Sequence, residues 1–442
     1  MEKFSMASLR LVFISLIITY ASAQTFGKAE LVYEWTRLEY DWPTDALKQK
    51  AIDNKTFIPE RNMVAGIKVY NNNIYLSVPR WFFTNGIPVT LAKVVTVNGK
   101  VKLRPYPNWA AQEQGNCNAL QYVQGMEIDP NTGFMYVVDI GRIAQTLNLC
   151  PAKIVVYDLN TDSEIQKYEL PSNVASPTSN FLNDITLDYV GGKVRFAYIT
   201  DANDARIVVF DFQTLKSFTV KHQSMNIEGN NAEIVIINNR SYNIPVAVDG
   251  IAMSPDFKYV YYCSLAAYNL YQIPTSSLRF GSSDGIRSVG AKVSQSGGIG
   301  HGNKHLYYGS FGENAVYFWN LERDMANQKL GIDKVTMKTQ TLLVRNDSTM
   351  QWQDTFAFDN LGWIWFVSNR LQLFRENSGL PNEGDAFMRI WKVFVNEAGN
   401  LYKADVRTQG STIGGNSSPS MSSFTTGVGT TLFLILSYLL FF

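Results

Sequence analysis

The sequence predicts an all-β protein, a six-bladed β-propeller with blades of about four antiparallel strands around a central channel. Three observations lead there. Helical periodicity is scarce, while short runs rich in Val, Ile, Tyr and Phe recur between Asn, Asp, Gly and Pro turns. A pattern of a small or acidic residue, an apolar residue, a short strand, a polar turn and a strongly apolar strand returns six times, in "AGIKVYNNNIYLSVPR", "QGMEIDPNTGFMYVVDIG", "NDITLDYVGGKVRFAYITDA", "DGIAMSPDFKYVYYCSLA", "GGIGHGNKHLYYGSF" and "DTFAFDNLGWIWFVSNR". Further strands such as "AKIVVYDL" and "ARIVVFDF" follow these hairpins, as a four-stranded blade requires. The anchors Gly66, Gly125, Asp184, Gly250, Gly298 and Thr355 are spaced 59, 59, 66, 48 and 57 residues apart, about one blade with its loops.

From the start of the chain, Arg10 and the apolar run "LVFISLIITY" lead into Ala21-Ser22-Ala23, the layout of a secretory signal peptide over 1–23. "TDALKQKAID" is the main helical candidate. No linker divides the repeats, so 28–406 reads as one closed propeller domain and not as successive sandwiches. Residues 407–431 form a polar, small-residue stalk, and 432–442 an apolar tail well short of the ~20 residues a spanning helix needs. That is the layout of a GPI attachment signal, and it predicts a protein anchored on the extracellular face of the plasma membrane. Asn54, Asn239, Asn346 and Asn416 open acceptor sequons. Of the three cysteines, Cys117 and Cys150 lie in polar sequence around one hairpin and are the expected disulfide, whereas Cys263 in "YVYYCSL" reads as a buried strand residue.

With 46% hydrophobic residues, 13% aromatic residues and net charge +1, the chain has a globular composition and no basic surface dedicated to nucleic acid. Neither a P-loop nor a dinucleotide fingerprint appears, and no cofactor is expected; "GGIGHG" is a glycine cluster outside any βαβ setting. "GSSDG" at 281–285 fits the nucleophile-elbow spacing, but it sits between β repeats. The two histidines of "HGNKH" lack the glutamate and third ligand of a zinc site, so no metal is expected. Trp363, Trp365 and Phe366 have strand spacing and read as packing.

In a closed propeller, equivalent repeat positions meet at the channel, which makes the anchors and the second-strand ends the site candidates. This singles out Glu127, Asn183, Asp184 and Asp249, although Asn and Asp also commonly bond turn backbones. His301, after the fifth anchor, is a candidate proton shuttle. Glu127, Asn183 and Asp249 could alternatively form a calcium-binding set for lactonase-like chemistry.

The segment "IPERNMVAGIKVYNNNIYLSVPRWFFTNGIPVTL", with "NDITLD", "DGIAMSPD" and "DTFAFDNLGWIWFVSNRLQLF" before "FMRIW", closely resembles the Yellow/major royal jelly protein family of insects in family order across about 28–395. The resemblance implies a six-bladed propeller. It also implies a choice of roles, since family members include salivary traps for biogenic amines, pigmentation proteins with dopachrome-converting activity, and nutritive proteins. A cysteine usual in the fifth repeat is replaced in Phe318-Trp319-Asn320, which fits an unpaired Cys263.

Carried over by motif position, the family's amine pocket implies Thr355 and Asn369 as ligand-binding residues, with Ile185 beside Asp184 as wall and Arg80 and Trp81 near the rim. The expected partner is a small aromatic amine or pigment precursor at the channel mouth. One alternative is a dopachrome-converting isomerase using Glu127, Asp184, Asp249 or His301 as acid or base. Another is a structural or protein-binding propeller. Arg80, beside Trp81 at a strand end, either faces the channel or braces the seam between the first and last blades.

Overall fold

The computed structural model describes residues 26–402 apart from 382–383, and within them six four-stranded antiparallel sheets stand in a ring. Blade 1 runs from Ile67–Tyr70 to Lys100–Pro105, and blade 2 from Val123–Asp129 to Ser163–Glu169. Blade 3 covers Leu182–Val190 to Lys216–Lys221, blade 4 Val248–Met253 to Arg287–Ala291, and blade 5 Ile299–His301 to Gln340–Arg345. The first strand of each blade packs against that of the next, and the sixth returns to the first. These innermost strands are largely buried, and Val248–Met253 is buried at every position.

Blade 6 is built from both ends of the described chain. Its inner strands are Trp352–Phe358, Trp363–Asn369 and Met388–Phe394, and its outermost strand is Glu30–Trp35, which pairs Glu30 with Lys392 and Trp35 with Met388. The repeat pattern does not reveal this strand, because an outer strand half exposed to solvent lacks the apolar run that marks the inner ones. The expected helix is present as Asp45–Asp53, capped where Thr44 Oγ1 accepts from Leu47 N.

Cys117 and Cys150 form the expected disulfide, and Cys263 is a buried free thiol. The bridge ties the approach to blade 2 to the entry of its third strand, Lys153–Asp158. Replacing both cysteines by alanine is expected to cost ~3 kcal/mol through the freed 33-residue separation, read as a lower urea midpoint; an unchanged midpoint would show the bridge to be dispensable.

The anchors form a waist inside the channel. In four first strands the pairing register breaks at this level, between Val123 and Met126, Leu182 and Ile185, Val248 and Ile251, and Gln353 and Phe356. The bulges turn backbone carbonyls toward the preceding blade. Ser77 Oγ donates to Gln124 O at 2.9 Å, Thr200 Oγ1 to Asp249 O at 2.7 Å, Gly298 N to Asp354 O at 2.9 Å and Thr355 Oγ1 to Ala65 O at 3.1 Å. Where no side chain makes the link, glycine permits direct contact: a Cβ on Gly125 would lie 2.3 Å from Asn183 O, and one on Gly250 2.5 Å from Gly297 O. The repeat's small residues are thus required by backbone approach between blades.

Candidate functional site

The waist splits the channel into two cavities. Residues just before the anchors face one side, called upper here, where the second strands also end; residues just after them face the lower side. The upper cavity has a volume of roughly 260 Å³ and an aromatic wall that includes Trp81, Phe82, Phe181 and Trp352. Phe311 stacks behind Trp352 at 4.2 Å between ring centroids and fixes its plane. The floor carries Gln124, Asn183, Asp249 and Asp354.

Asp249 and Asp354 are both buried and share this floor. Asp354 is pushed up to about 7, first by burial; a hydrogen bond from Asn369 opposes the shift and Asp184 adds to it. Asp249 is raised well above the ordinary carboxylate range by burial, then by Asp354 and Asp184, against a hydrogen bond from Asn183. The physical cause is common to both: a carboxylate away from water ionises reluctantly, more so beside another. Gln124 and Gln372, which border the cavity, each carry a buried amide oxygen without a hydrogen-bond partner among the described residues. The upper cavity is therefore rich in acceptors and suits a donor-rich cation between aromatic walls.

Asn369 closes the second strand of blade 6 opposite Trp352. Its Nδ2 donates to Asp354 Oδ2 and to Val64 O, both at 3.0 Å, while its Oδ1 accepts from Leu371 N. It holds Asp354 in place. Thr355 lies at the waist, where Oγ1 accepts from Ile67 N at 2.9 Å, and it borders the lower cavity. Trp81 forms upper wall and meets Phe374, on the helix Leu371–Asn377 of blade 6, edge-on at 6.3 Å.

Arg80 borders neither central cavity. Its buried guanidinium donates to Ile87 O at 2.9 Å, Gln112 O at 3.1 Å and Gln121 O, bracing a loop of blade 1 against the connection to blade 2. It is Trp81 that reaches across the seam between first and last blades.

Glu127, Asp184, Ile185 and His301 all border the lower cavity, roughly 70 Å³ and covered by residues 399–402. Lys68 Nζ pairs with Glu127 at 2.8 Å. Asp184 is enclosed by protein although its carboxyl meets the cavity; burial lifts it to about 6 against the pull of Lys68. His301 is buried with Nδ1 2.6 Å from Gly302 O. Glu127 thus sits on the opposite side of the waist from Asn183 and Asp249, so the three do not converge as the alternative calcium set would need. Among the described residues no group of three or more His, Cys, Asp or Glu could hold a metal ion.

Asp354, Gln124 and Lys68 were not singled out in the sequence. For two of them the signal existed: Gln124, Asn183, Asp249 and Asp354 all occupy the position immediately before a repeat anchor. Asn54, Asn239 and Asn346 are exposed, as glycan acceptors must be, whereas Asn416, like the segments 1–23 and 407–442, lies outside the described residues.

The sequence profile described as "Major royal jelly protein" matches residues 121–400. "Protein yellow" of Drosophila subobscura is 24% identical over 402 residues, covering 83% of this chain and 65% of that protein. "Protein yellow" of Drosophila yakuba is 26% identical over 291 residues, covering 61% and 51%. The chain thus spans between half and two thirds of these relatives' length. The solved "Streptogramin B lyase structure" aligns over 84% of this chain and 99% of that one at 13% identity, with a TM-score of 0.41, too slight a likeness to inform fold or function.

Proposed function

Because this chain belongs to the major royal jelly protein family, whose shared scaffold does not by itself fix an activity, we propose from its upper cavity that it binds a small aromatic amine there. The observation that carries this reading is the pair of buried carboxylates, Asp249 and Asp354, on a floor flanked by an aromatic wall. With Asp249 raised well above the ordinary carboxylate range by burial and by Asp354, and Asp354 near its midpoint at neutral pH, the pair suits one ammonium. Aromatic faces add cation–π attraction and hold the ligand ring. Titration calorimetry with tyramine, dopamine and serotonin should give saturable heat with at least one amine. Silence with all three would end the reading.

The same pair also favours a second reading, dopachrome-type isomerisation. Two carboxyls whose environments separate their affinities for protons provide a base, Asp354, and an acid, Asp249. Loss of dopachrome absorbance catalysed by the protein would select this reading, and binding without turnover the first.

The predicted secretory and attachment signals support a site of action at the outer cell surface. Release of the protein by a phosphatidylinositol-specific phospholipase tests that placement. Among the described residues no helix is long and apolar enough to cross a membrane.

A further inference from the structure

The upper cavity is polarised from floor to rim. Its floor holds the buried carboxylates of Asp249 and Asp354. At its mouth stands Arg375, an exposed residue on the helix Leu371–Asn377, which follows directly on the strand that ends at Asn369. Arg375 is the one cationic residue bordering this cavity among the described residues. Its neighbours are committed elsewhere: Glu376 is paired with Arg240 at 2.7 Å, and Arg370 donates to Ser348 O at 2.9 Å. Arg375 itself makes no hydrogen bond or ion pair among the described residues. A free guanidinium at the open end and carboxylates at the closed end set up a direction that a plain amine would use only in part.

The geometry points to a ligand charged at both ends, with an ammonium on the floor, an aromatic ring between the walls, and an O-linked sulfate or phosphate ester at Arg375. This rests on the amine reading above and deepens it. The planar fork of a guanidinium suits a tetrahedral oxyanion, which accepts two parallel hydrogen bonds. A cavity of roughly 260 Å³ exceeds the ~150 Å³ that encloses a benzene ring, leaving room for substituents at both ends. An aromatic amino acid is a poorer fit, because its carboxylate adjoins the ammonium and would be carried to the acidic floor. The expected order of affinity is therefore tyramine ester, then tyramine, then tyrosine.

The test compares tyramine, tyramine O-sulfate, tyramine O-phosphate and tyrosine by calorimetry on the wild-type protein and on Arg375→Gln and Arg375→Lys. At low ionic strength at least one ester should bind about fivefold tighter than tyramine, the upper range for an exposed ion pair. The advantage should shrink in 0.5 M salt, as expected on the order of a Debye-length argument. In Arg375→Gln the ratio of ester to tyramine affinity should fall to about one, and in Arg375→Lys part of it should remain. Sulfate and phosphate are distinguished by which ester gains more. Esters that bind no tighter than tyramine, or an advantage that persists in Arg375→Gln, would overturn this inference and leave amine binding standing. If neither tyramine nor its esters bind, this inference falls, and the amine reading falls with it when dopamine and serotonin are silent too.

Discussion

Replacing Asp354 by asparagine is expected to weaken tyramine binding on the order of 50-fold, the value of a charge-assisted hydrogen bond in a buried setting. Asparagine preserves the shape and the contact with Asn369 but removes the charge. The wild-type pH profile should carry the same signature. Below about 7, Asp354 is protonated in the free protein, so binding an ammonium must expel that proton and affinity falls as pH is lowered from 8 to 5.5. In Asp354→Asn this slope should flatten. Stability runs the opposite way: a carboxylate raised in the folded state contributes stability that is full below its unfolded value near 3.8 and is lost as pH rises through about 7. The ligand-free protein should therefore lose melting temperature across that window, and the variant should lose less. Equal affinities for wild type and variant across the range would remove Asp354 from the site.

Gly298→Ala should cost stability most, ~4 kcal/mol or more. The added Cβ would stand 2.3 Å from Asp354 O and 3.2 Å from Thr355 Cα, so the inner strands of blades 5 and 6 would have to separate. The hydrogen bond from Gly298 N to that same carbonyl would lengthen with them. Because Asp354 would move, ligand affinity should fall too. Gly229→Ala is the control, since its Cβ would meet nothing within 4 Å, and a change within about 0.5 kcal/mol is expected there. Similar urea midpoints for the two variants would show that the waist yields easily and that glycine is not needed at Gly298.

The fold was legible because propeller strands repeat, and the repeat exposes the tightest part of the ring. Gly66, Gly125, Gly250 and Gly298 stood out in the sequence since contact between blades tolerates no side chain there. The site was less legible for the same reason. Anchors catch attention, yet Thr355 and Asp184 lie at or below the waist, and the upper floor is made by the residues before them. Asn183 and Asp249 were singled out on that floor, but Asp354 was not, although it holds the same repeat position. Arg80 shows a different limit. Its five donors answer to carbonyls that include those of residues 87, 112 and 121, in connecting segments with no repeat pattern to read. Nor could spacing show that Glu127 and Asp249 are divided by a layer of backbone.

The outermost strand of blade 6 bears on the order of assembly. Glu30–Trp35 must find Met388–Phe394 across more than 350 intervening residues, which makes it the costliest closure in the molecule in chain entropy. Five blades can complete themselves from contiguous sequence, but the sixth stays three-stranded until the first-made strand returns. The upper cavity shares in that delay, because Asp354, Trp352 and Asn369 all belong to the blade that is sealed last. A ligand selecting the finished cavity would thus bind the closed ring in preference to the open one, and would act as a clasp on the whole circle.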